Sequence, residues 1–175
     1  ADHSPNRICN YLPLESVDVF PQASCAPTHA AVVTWGDSMA HAWQPYAETL
    51  GAPLIGFSRA NCPPLLGVTI RDQARVQGRL CERFNAKVAD WIVAHRPGTV
   101  VIGERWSHHV DAEDEAGLRL SIARIAPSVD RIIVFGPSPQ LPESLPKCMD
   151  LGADCSVARA EVDATNREAT AMLAR

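Results

Sequence analysis

The sequence predicts a three-layer α/β/α fold built on a doubly wound parallel sheet. Short apolar segments alternate along the chain with longer segments whose apolar residues recur at helical spacing. The short segments are hydrophobic on both faces, as strands buried between two layers of helices are. With 175 residues, of which 46% are hydrophobic, the chain is long enough to bury one sizeable core. We therefore expect one main domain.

Four of the apolar segments are predicted as strands, at residues 31–35, 53–57, 100–102 and 131–135. Helices are predicted at residues 39–50, 82–95 and 112–126, and residues 61–78 are predicted as a long Pro-rich loop. A last helix is expected to run from Ser156, as its N-cap, to Arg175. Strands that alternate with helices pair in parallel, so functional residues are expected in the loops at the carboxyl ends of the strands.

The two ends of the chain are predicted to differ from this regular middle. Residues 1–28 contain four prolines and little periodicity, which indicates an irregular arm or linker before a domain at residues 29–175. At the other end, the last predicted strand would leave an apolar sheet edge, and such edges are normally covered or extended. We therefore expect a fifth strand and its following loop beyond Arg175, and a domain that is truncated there.

Composition excludes several classes of function. The net charge of -4 and the pI near 5.8 come without a long basic run, so no nucleic-acid partner is expected. The apolar segments are far shorter than the roughly 20 residues of a membrane-spanning helix, and a signal peptide or anchor would lie outside these residues. His108, His109 and Asp111 could approach a metal, but adjacent histidines point in different directions. We expect neither a metal nor another cofactor.

The six cysteines are even in number and are scattered over predicted loops rather than grouped in metal-binding pairs. This distribution favours disulfides, for which fifteen pairings exist. We expect sequence neighbours to pair, so that each bond closes one surface loop: Cys9–Cys25, Cys62–Cys81 and Cys148–Cys155. The alternative is six reduced, buried cysteines in a cytosolic protein. Disulfides predict an oxidising compartment outside the cytoplasm.

The chemistry is expected at Gly36-Asp37-Ser38, which follows the first predicted strand and opens the first helix. A serine there lies beside the backbone N–H groups of a helix N-terminus, which can stabilise an oxyanion. Ser38 is therefore the candidate nucleophile. Gly36 and Asp37 would shape the loop, with Asp37 bracing the turn through backbone hydrogen bonds rather than acting as a triad acid. The alternative is that Ser38 only caps the helix.

Residues 32–40, VVTWGDSMA, resemble the first block of the SGNH hydrolases, whose serine performs acyl transfer through a Ser-His-Asp triad. Further segments are similar, more narrowly, to the SGNH domains fused behind membrane acyltransferases that O-acylate bacterial surface polysaccharides. These segments are Cys62-Pro63-Pro64-Leu65, Cys81 with Phe84-Asn85, residues 100–106 (VVIGERW) and Leu145-Pro146-Lys147-Cys148. The resemblance runs from about Cys25 to the end and implies the SGNH/flavodoxin-like form of the predicted fold.

The resemblance implies that Ser38 carries an acyl group, with acetyl expected, and passes it to a cell-surface carbohydrate. The implied partners are this carbohydrate acceptor and a fused or adjacent membrane acyltransferase domain that supplies the acyl group. A periplasmic or other extracytoplasmic location follows, with the full-length protein tethered to the inner membrane. Two alternatives stay open: a carbohydrate O-acetyl esterase, and a non-catalytic module that binds glycans or scaffolds a membrane partner.

The sequence departs from the family pattern in three ways. Met39 stands where the subgroup usually has histidine directly after the serine, and the role of the nearby His41 is open. Residues 104–106, Glu-Arg-Trp, replace the usual oxyanion-hole asparagine, so the hole is expected to use the Ser38 backbone N–H, with Asn61 as a side-chain contributor. The Asp-x-x-His block that would complete the triad is expected beyond Arg175.

Other side chains on the predicted rim are candidates for contact with the oxyanion or the substrate. Arg105, Trp106 and His108 all follow the third predicted strand. Trp106 is placed to stack on a sugar. For His108 and its neighbour His109, the alternative to a catalytic or substrate role is a solvated pair of loop residues.

Overall fold

A parallel five-stranded sheet forms the centre of the molecule, as a computed structural model describes it for residues 7–23, 25, 30–49, 53–70, 75–139, 145–152 and 155–175. The strands are β1 (Arg7–Tyr11), β2 (Val32–Gly36), β3 (Leu54–Arg59), β4 (Thr99–Gly103) and β5 (Arg131–Val134). Their order across the sheet is β1-β3-β2-β4-β5, and every neighbouring pair is parallel. The predicted α/β class with a parallel sheet is confirmed.

Helices flank both faces of the sheet. They are α1 (Ser38–Glu48), α2 (Arg75–His95), α3 (Ala112–Ile125), α4 (Leu145–Asp150), α5 (Arg159–Thr165) and α6 (Arg167–Leu173), with short 3-10 turns at Trp106–His108 and Ala126–Ser128. On one face, α1 packs on β2, β3 and β4, and its Gln44 side chain donates a hydrogen bond to Thr34 of β2 (3.3 Å). On the other face, α2 packs against β3 and α3.

The larger part of the core lies between the sheet and α2. Alternate strand residues point into it because successive side chains of a strand face opposite sides of a sheet. The buried Asn85 of α2 is a polar tie within this core: it accepts a hydrogen bond from Trp35 Nε1 (2.9 Å) and donates one to the Pro63 carbonyl (2.7 Å). Asn85 thereby joins β2 to the loop that follows β3.

The interpretation of residues 1–28 as an irregular arm is wrong for Arg7–Tyr11, which form β1 at the edge of the sheet beside β3. Cys9 and Tyr11 are buried and Asn10 between them is exposed, which is the alternation of a half-buried strand. The surrounding prolines obscured this short pattern. The fifth strand that we expect beyond Arg175 stays a prediction.

Two helix predictions also need correction, and one helix was missed. The predicted loop ends early, because α2 begins at Arg75 rather than at residue 82. Its first turns carry Arg, Gln and Gly instead of an apolar stripe. The last helix begins at Arg159, after Ala158 rather than Ser156 as N-cap, and is divided at Asn166. Helix α4 was not predicted at all.

The predicted disulfide pairing is confirmed. Cys9–Cys25 and Cys62–Cys81 each join Cα atoms 5.4 Å apart, and Cys148–Cys155 joins Cα atoms 5.8 Å apart. The cysteines are not confined to loops, however, because Cys9 lies in β1, Cys81 in α2 and Cys148 in α4. The Cys62–Cys81 bond is buried in the core and fixes the loop after β3 to α2.

The carboxyl ends of β2 and β4 meet at two glycines, Gly36 and Gly103, which are partners in the strand register. A Cβ atom on Gly36 would lie 1.8 Å from the Gly103 carbonyl oxygen and 2.8 Å from the Cβ of Ala40 in α1. Both distances are shorter than real Cβ contacts, so only glycine fits at position 36. The tight fit lies directly before the turn that leads into α1.

No helix among the described residues has both the length and the apolar character that crossing a bilayer requires.

Gly36→Ala is expected to destabilise the fold by about 2–4 kcal/mol, because the new methyl group must displace backbone rather than a flexible side chain. Gly136→Ala is the matched control, since a Cβ there meets nothing within 4 Å. Its unfolding free energy should stay within about 0.5 kcal/mol of wild type. Urea unfolding followed by circular dichroism measures both changes. Equal midpoints for the two variants would contradict the close approach.

Candidate functional site

Ser38 is the first residue of α1 and lies at the carboxyl end of the sheet. Its side chain is exposed, whereas Asp37 before it and Ala40 after it are buried. The first N–H groups of a helix have no partner within the helix and carry its positive end. An exposed hydroxyl beside such groups is well placed to attack a carbonyl carbon whose oxygen becomes negatively charged.

Asp37 fixes the turn that carries Ser38. The residue is only 7% exposed, and its carboxylate accepts hydrogen bonds from the Met39 N–H (2.8 Å) and from the Arg105 N–H (3.2 Å). Burial raises the pKa of Asp37, and the backbone donors of Met39, Arg105 and Ala40 oppose this rise. These are the contacts expected of a residue that braces the turn, and they join it to the loop after β4.

Glu104 is a second buried carboxyl group at the same edge, directly after β4. It is 2% exposed, and neither Oε1 nor Oε2 has a hydrogen-bond partner among the described residues. Burial raises the pKa of Glu104 well above its ordinary value, and the nearby carboxylates of Asp37 and Asp114 act in the same direction. Sequence reasoning treated Glu104 only as a departure from the family pattern and missed its burial.

The histidines of the described residues do not bond to the nucleophile. His108 is exposed, and Nδ1 of the half-buried His109 lies 3.6 Å from Oδ1 of Asp114 in α3. His41 of α1 has a buried Nδ1 without a hydrogen-bond partner in the described part of the chain. The Ser38 hydroxyl makes no hydrogen bond to any of these imidazoles. The described residues therefore do not show the base of a triad.

A cavity of about 240 Å³ opens beside the nucleophile turn. Its lining residues are Asp37, Asn61, Ile70, Gln77, Arg105, His108 and His109. Asn61 reaches this cavity from the loop after β3, where a left-handed backbone (φ 54°) turns the chain. Three of the predicted rim residues, Asn61, Arg105 and His108, thus lie around one space next to Asp37. Gln77 is a further lining residue, and it lies in the segment 61–78 for which the sequence predicts a loop rather than the first turn of α2.

Trp106 does not belong to this cavity, and its predicted role in stacking on a sugar is wrong. The ring is fully buried in the 3-10 turn after β4, and its Nε1 donates a hydrogen bond to the Phe135 carbonyl (2.6 Å). A buried tryptophan normally finds such a partner for its one polar atom. Trp106 therefore ties the loop after β4 to the end of β5.

Within the described ranges, no three His, Cys, Asp or Glu side chains are grouped so that they could hold a metal ion. Apart from the Asp37 carboxylate, the polar residues around the cavity carry amide, guanidinium and imidazole groups, which can donate hydrogen bonds to hydroxyl and carbonyl oxygens.

Comparison with solved structures supports the fold. The chain is similar to the periplasmic domain of a lipopolysaccharide acetyltransferase from Salmonella ser. Paratyphi A, with a TM-score of 0.58 and 18% sequence identity. The match covers 94% of this chain and 70% of that one. Identity this low concerns the fold alone. No curated protein is significantly similar to this chain in sequence.

Comparison with protein families is more specific. Residues 5–175 match the family model described as "SGNH domain (fused to AT3 domains)". This is the family that the segments around Ser38, Cys62 and Glu104 resemble, and the match includes all of them. Because it spans nearly the whole sequence, the chain belongs to the family of SGNH domains that are fused to AT3 domains.

Proposed function

We propose that this chain transfers an acyl group, with acetyl expected, to a cell-surface carbohydrate through an ester on Ser38. One observation carries the proposal: the hydroxyl of Ser38 is exposed at the start of a helix while Asp37, directly before it, is buried and hydrogen bonded. Membership of the SGNH family supports it, as does the likeness in fold to an acetyltransferase domain.

In the proposed reaction, Ser38 Oγ attacks the carbonyl carbon of the acyl donor while a base accepts its proton. The Ser38 backbone N–H, with the Asn61 amide as a second donor, stabilises the oxyanion. The intermediate collapses, and the leaving group takes the proton. A carbohydrate hydroxyl then attacks the acyl carbon, gives its proton to the base and releases Ser38, which regains a proton. The base is the imidazole of the Asp-x-x-His block that we expect beyond Arg175.

The cavity beside the turn is the proposed site of the acceptor. Arg105, Gln77 and His108 present hydrogen-bond donors there, which suits a surface of sugar hydroxyls. Asp37 lines the cavity, and Ser38 is the next residue in the chain. An acceptor bound in the cavity would therefore lie beside the turn that carries the nucleophile. We propose that the fused AT3 domain supplies the acyl group at the membrane.

An extracytoplasmic location is part of the proposal. Three disulfides tie the described fold, and disulfides of this kind persist in oxidising compartments such as the periplasm. The family's fusion to AT3 domains would tether the full-length protein to the inner membrane.

The second candidate function is a carbohydrate O-acetyl esterase. The acylation of Ser38 is the same in this reaction, but water rather than a sugar hydroxyl then attacks the acyl-enzyme and releases the acyl group. The exposure of Ser38 favours this alternative, because an acyl-enzyme that water reaches is hydrolysed unless an acceptor excludes water.

Ser38→Ala is expected to abolish covalent labelling by a fluorophosphonate, because the probe reports an activated serine hydroxyl. Intact mass spectrometry measures the adduct, and Ser156→Ala serves as the control because Ser156 is also exposed. The test is made on this chain and on one extended through the Asp-x-x-His block. Absence of an adduct from both wild-type forms would contradict the proposal and favour a non-catalytic module.

Asp37→Asn is expected to slow labelling of the extended chain by about 10- to 100-fold, since the amide replaces an acceptor by a donor and misplaces the turn. Asp150→Asn is the control, because Asp150 is exposed in α4. The rate of adduct formation is the measurement. If Asp37→Asn reacts as fast as wild type, the brace does not position Ser38.

Arg105→Ala is expected to lower acyl transfer to a saccharide about tenfold while hydrolysis of an activated acetyl ester is retained. The backbone N–H that binds Asp37 remains in this variant, so only the contribution of the guanidinium is removed. Mass spectrometry of acetylated saccharide, beside the release of the ester's leaving group, separates the two reactions. An equal loss of both would place Arg105 outside the acceptor site.

A further inference from the structure

Glu104 is a buried acid that the proposed reaction does not use. It follows β4 directly and precedes Arg105, whose backbone N–H binds the Asp37 carboxylate. Its carboxyl group is almost completely shielded from water, and both oxygens are without a hydrogen-bond partner in the described part of the chain. A buried charged carboxylate without donors is among the least stable arrangements in a folded protein.

The charges around Glu104 add to this cost. Asp37 from the turn after β2 and Asp114 from α3 both act against an ionised Glu104. The imidazole of His109 favours the ionised forms of Asp37 and Asp114 and so acts to lower their pKa, but it forms no ion pair with Glu104. From α1, which packs against β4, His41 likewise makes no bond to Glu104. No cation of the described residues therefore offsets a negative charge at this position.

Asp37 and Glu104 are neighbouring acids in unlike surroundings. Asp37 accepts backbone hydrogen bonds from Met39, Ala40 and Arg105, all of which favour its ionised form. Glu104 receives none. When two nearby carboxyl groups cannot both ionise at low cost, the one with donors holds the charge and the other holds the proton.

We propose that Glu104 is a neutral carboxylic acid in the working protein and that it positions the nucleophile turn by keeping a second negative charge away from Asp37. An ionised Glu104 would repel the Asp37 carboxylate and weaken its hold on the turn and on the Arg105 N–H. It would also oppose the negative charge of the tetrahedral intermediate. The effect on Ser38 rests on the proposed function, whereas the protonation state of Glu104 does not.

The protonation state is tested by comparing thermal unfolding of wild type and Glu104→Gln over pH. In the unfolded chain Glu104 ionises near its ordinary pKa of 4.5, whereas the folded chain keeps the proton. Wild type therefore loses stability relative to the variant as pH rises above that value. The Tm advantage of Glu104→Gln should be near zero at pH 4 and should grow by about 3–5 °C per pH unit between pH 5 and 7.

The control is Glu161→Gln, because Glu161 is exposed in the first turn of α5. Its Tm difference from wild type should change little with pH. A Glu104→Gln difference that is flat or negative over the same range would show an ionised Glu104 in the folded protein and would overturn the proposal. The outcome does not depend on whether Ser38 is reactive.

The positioning role is tested by the pH profile of fluorophosphonate labelling of the extended chain. Wild type should lose labelling rate on the alkaline side as Glu104 ionises, and Glu104→Gln should label within about threefold of wild type at pH 7 without that loss. Glu104→Ala, which leaves a cavity, should be unstable at every pH. If Glu104→Gln declines at the same alkaline pH as wild type, the positioning role is overturned. If wild type is unlabelled at every pH, the proposed function fails and the unfolding experiment alone decides the state of Glu104.

Discussion

The contact between Gly36 and Gly103 is the constraint on which the rest of the site depends. Because Gly36 has no side chain, the end of β2 can lie against the Gly103 carbonyl of β4, and the Asp37 carboxylate that follows reaches the Arg105 N–H. The loop after β4 is held from its other side by Trp106, which bonds to the Phe135 carbonyl. Ser38 is thus presented by a turn with polar ties to the neighbouring loop, and that loop is in turn tied to the end of β5.

Most of the fold could be predicted because its signals are local. The apolar segments of β2 to β5, the helical spacing in α2 and α3 and the pairing of neighbouring cysteines are all visible within about twenty residues. The strand Arg7–Tyr11 is different, since its place beside β3 depends on residues far along the chain. Its short alternation, between prolines, carries too little local signal to be distinguished from a loop.

The candidate site, like the fold, has some features that the sequence predicts and others that it does not. Ser38 and Asp37 could be predicted because a strand, a tight turn and a helix follow each other directly in the sequence. The burial of Glu104 and of Trp106 could not, because it results from the packing of one loop against α3, the turn after β2 and the end of β5. Neighbouring positions in a Glu-Arg-Trp segment give no sign of which side chain points inward. The base that would activate Ser38 also stays a prediction, because it is expected far from Ser38 in the sequence.

The Cys62–Cys81 bond joins the loop after β3 to α2, the two segments that bring Asn61 and Gln77 to the cavity. Asn61, which lines the cavity, precedes Cys62, and Gln77, which also lines it, lies one helical turn before Cys81 on the same face of α2. The disulfide therefore links the two segments that carry these lining residues. Reduction of this bond would release the loop after β3 from α2, so we expect the spacing of Asn61 and Gln77 around the cavity to depend on the oxidation state of this pair.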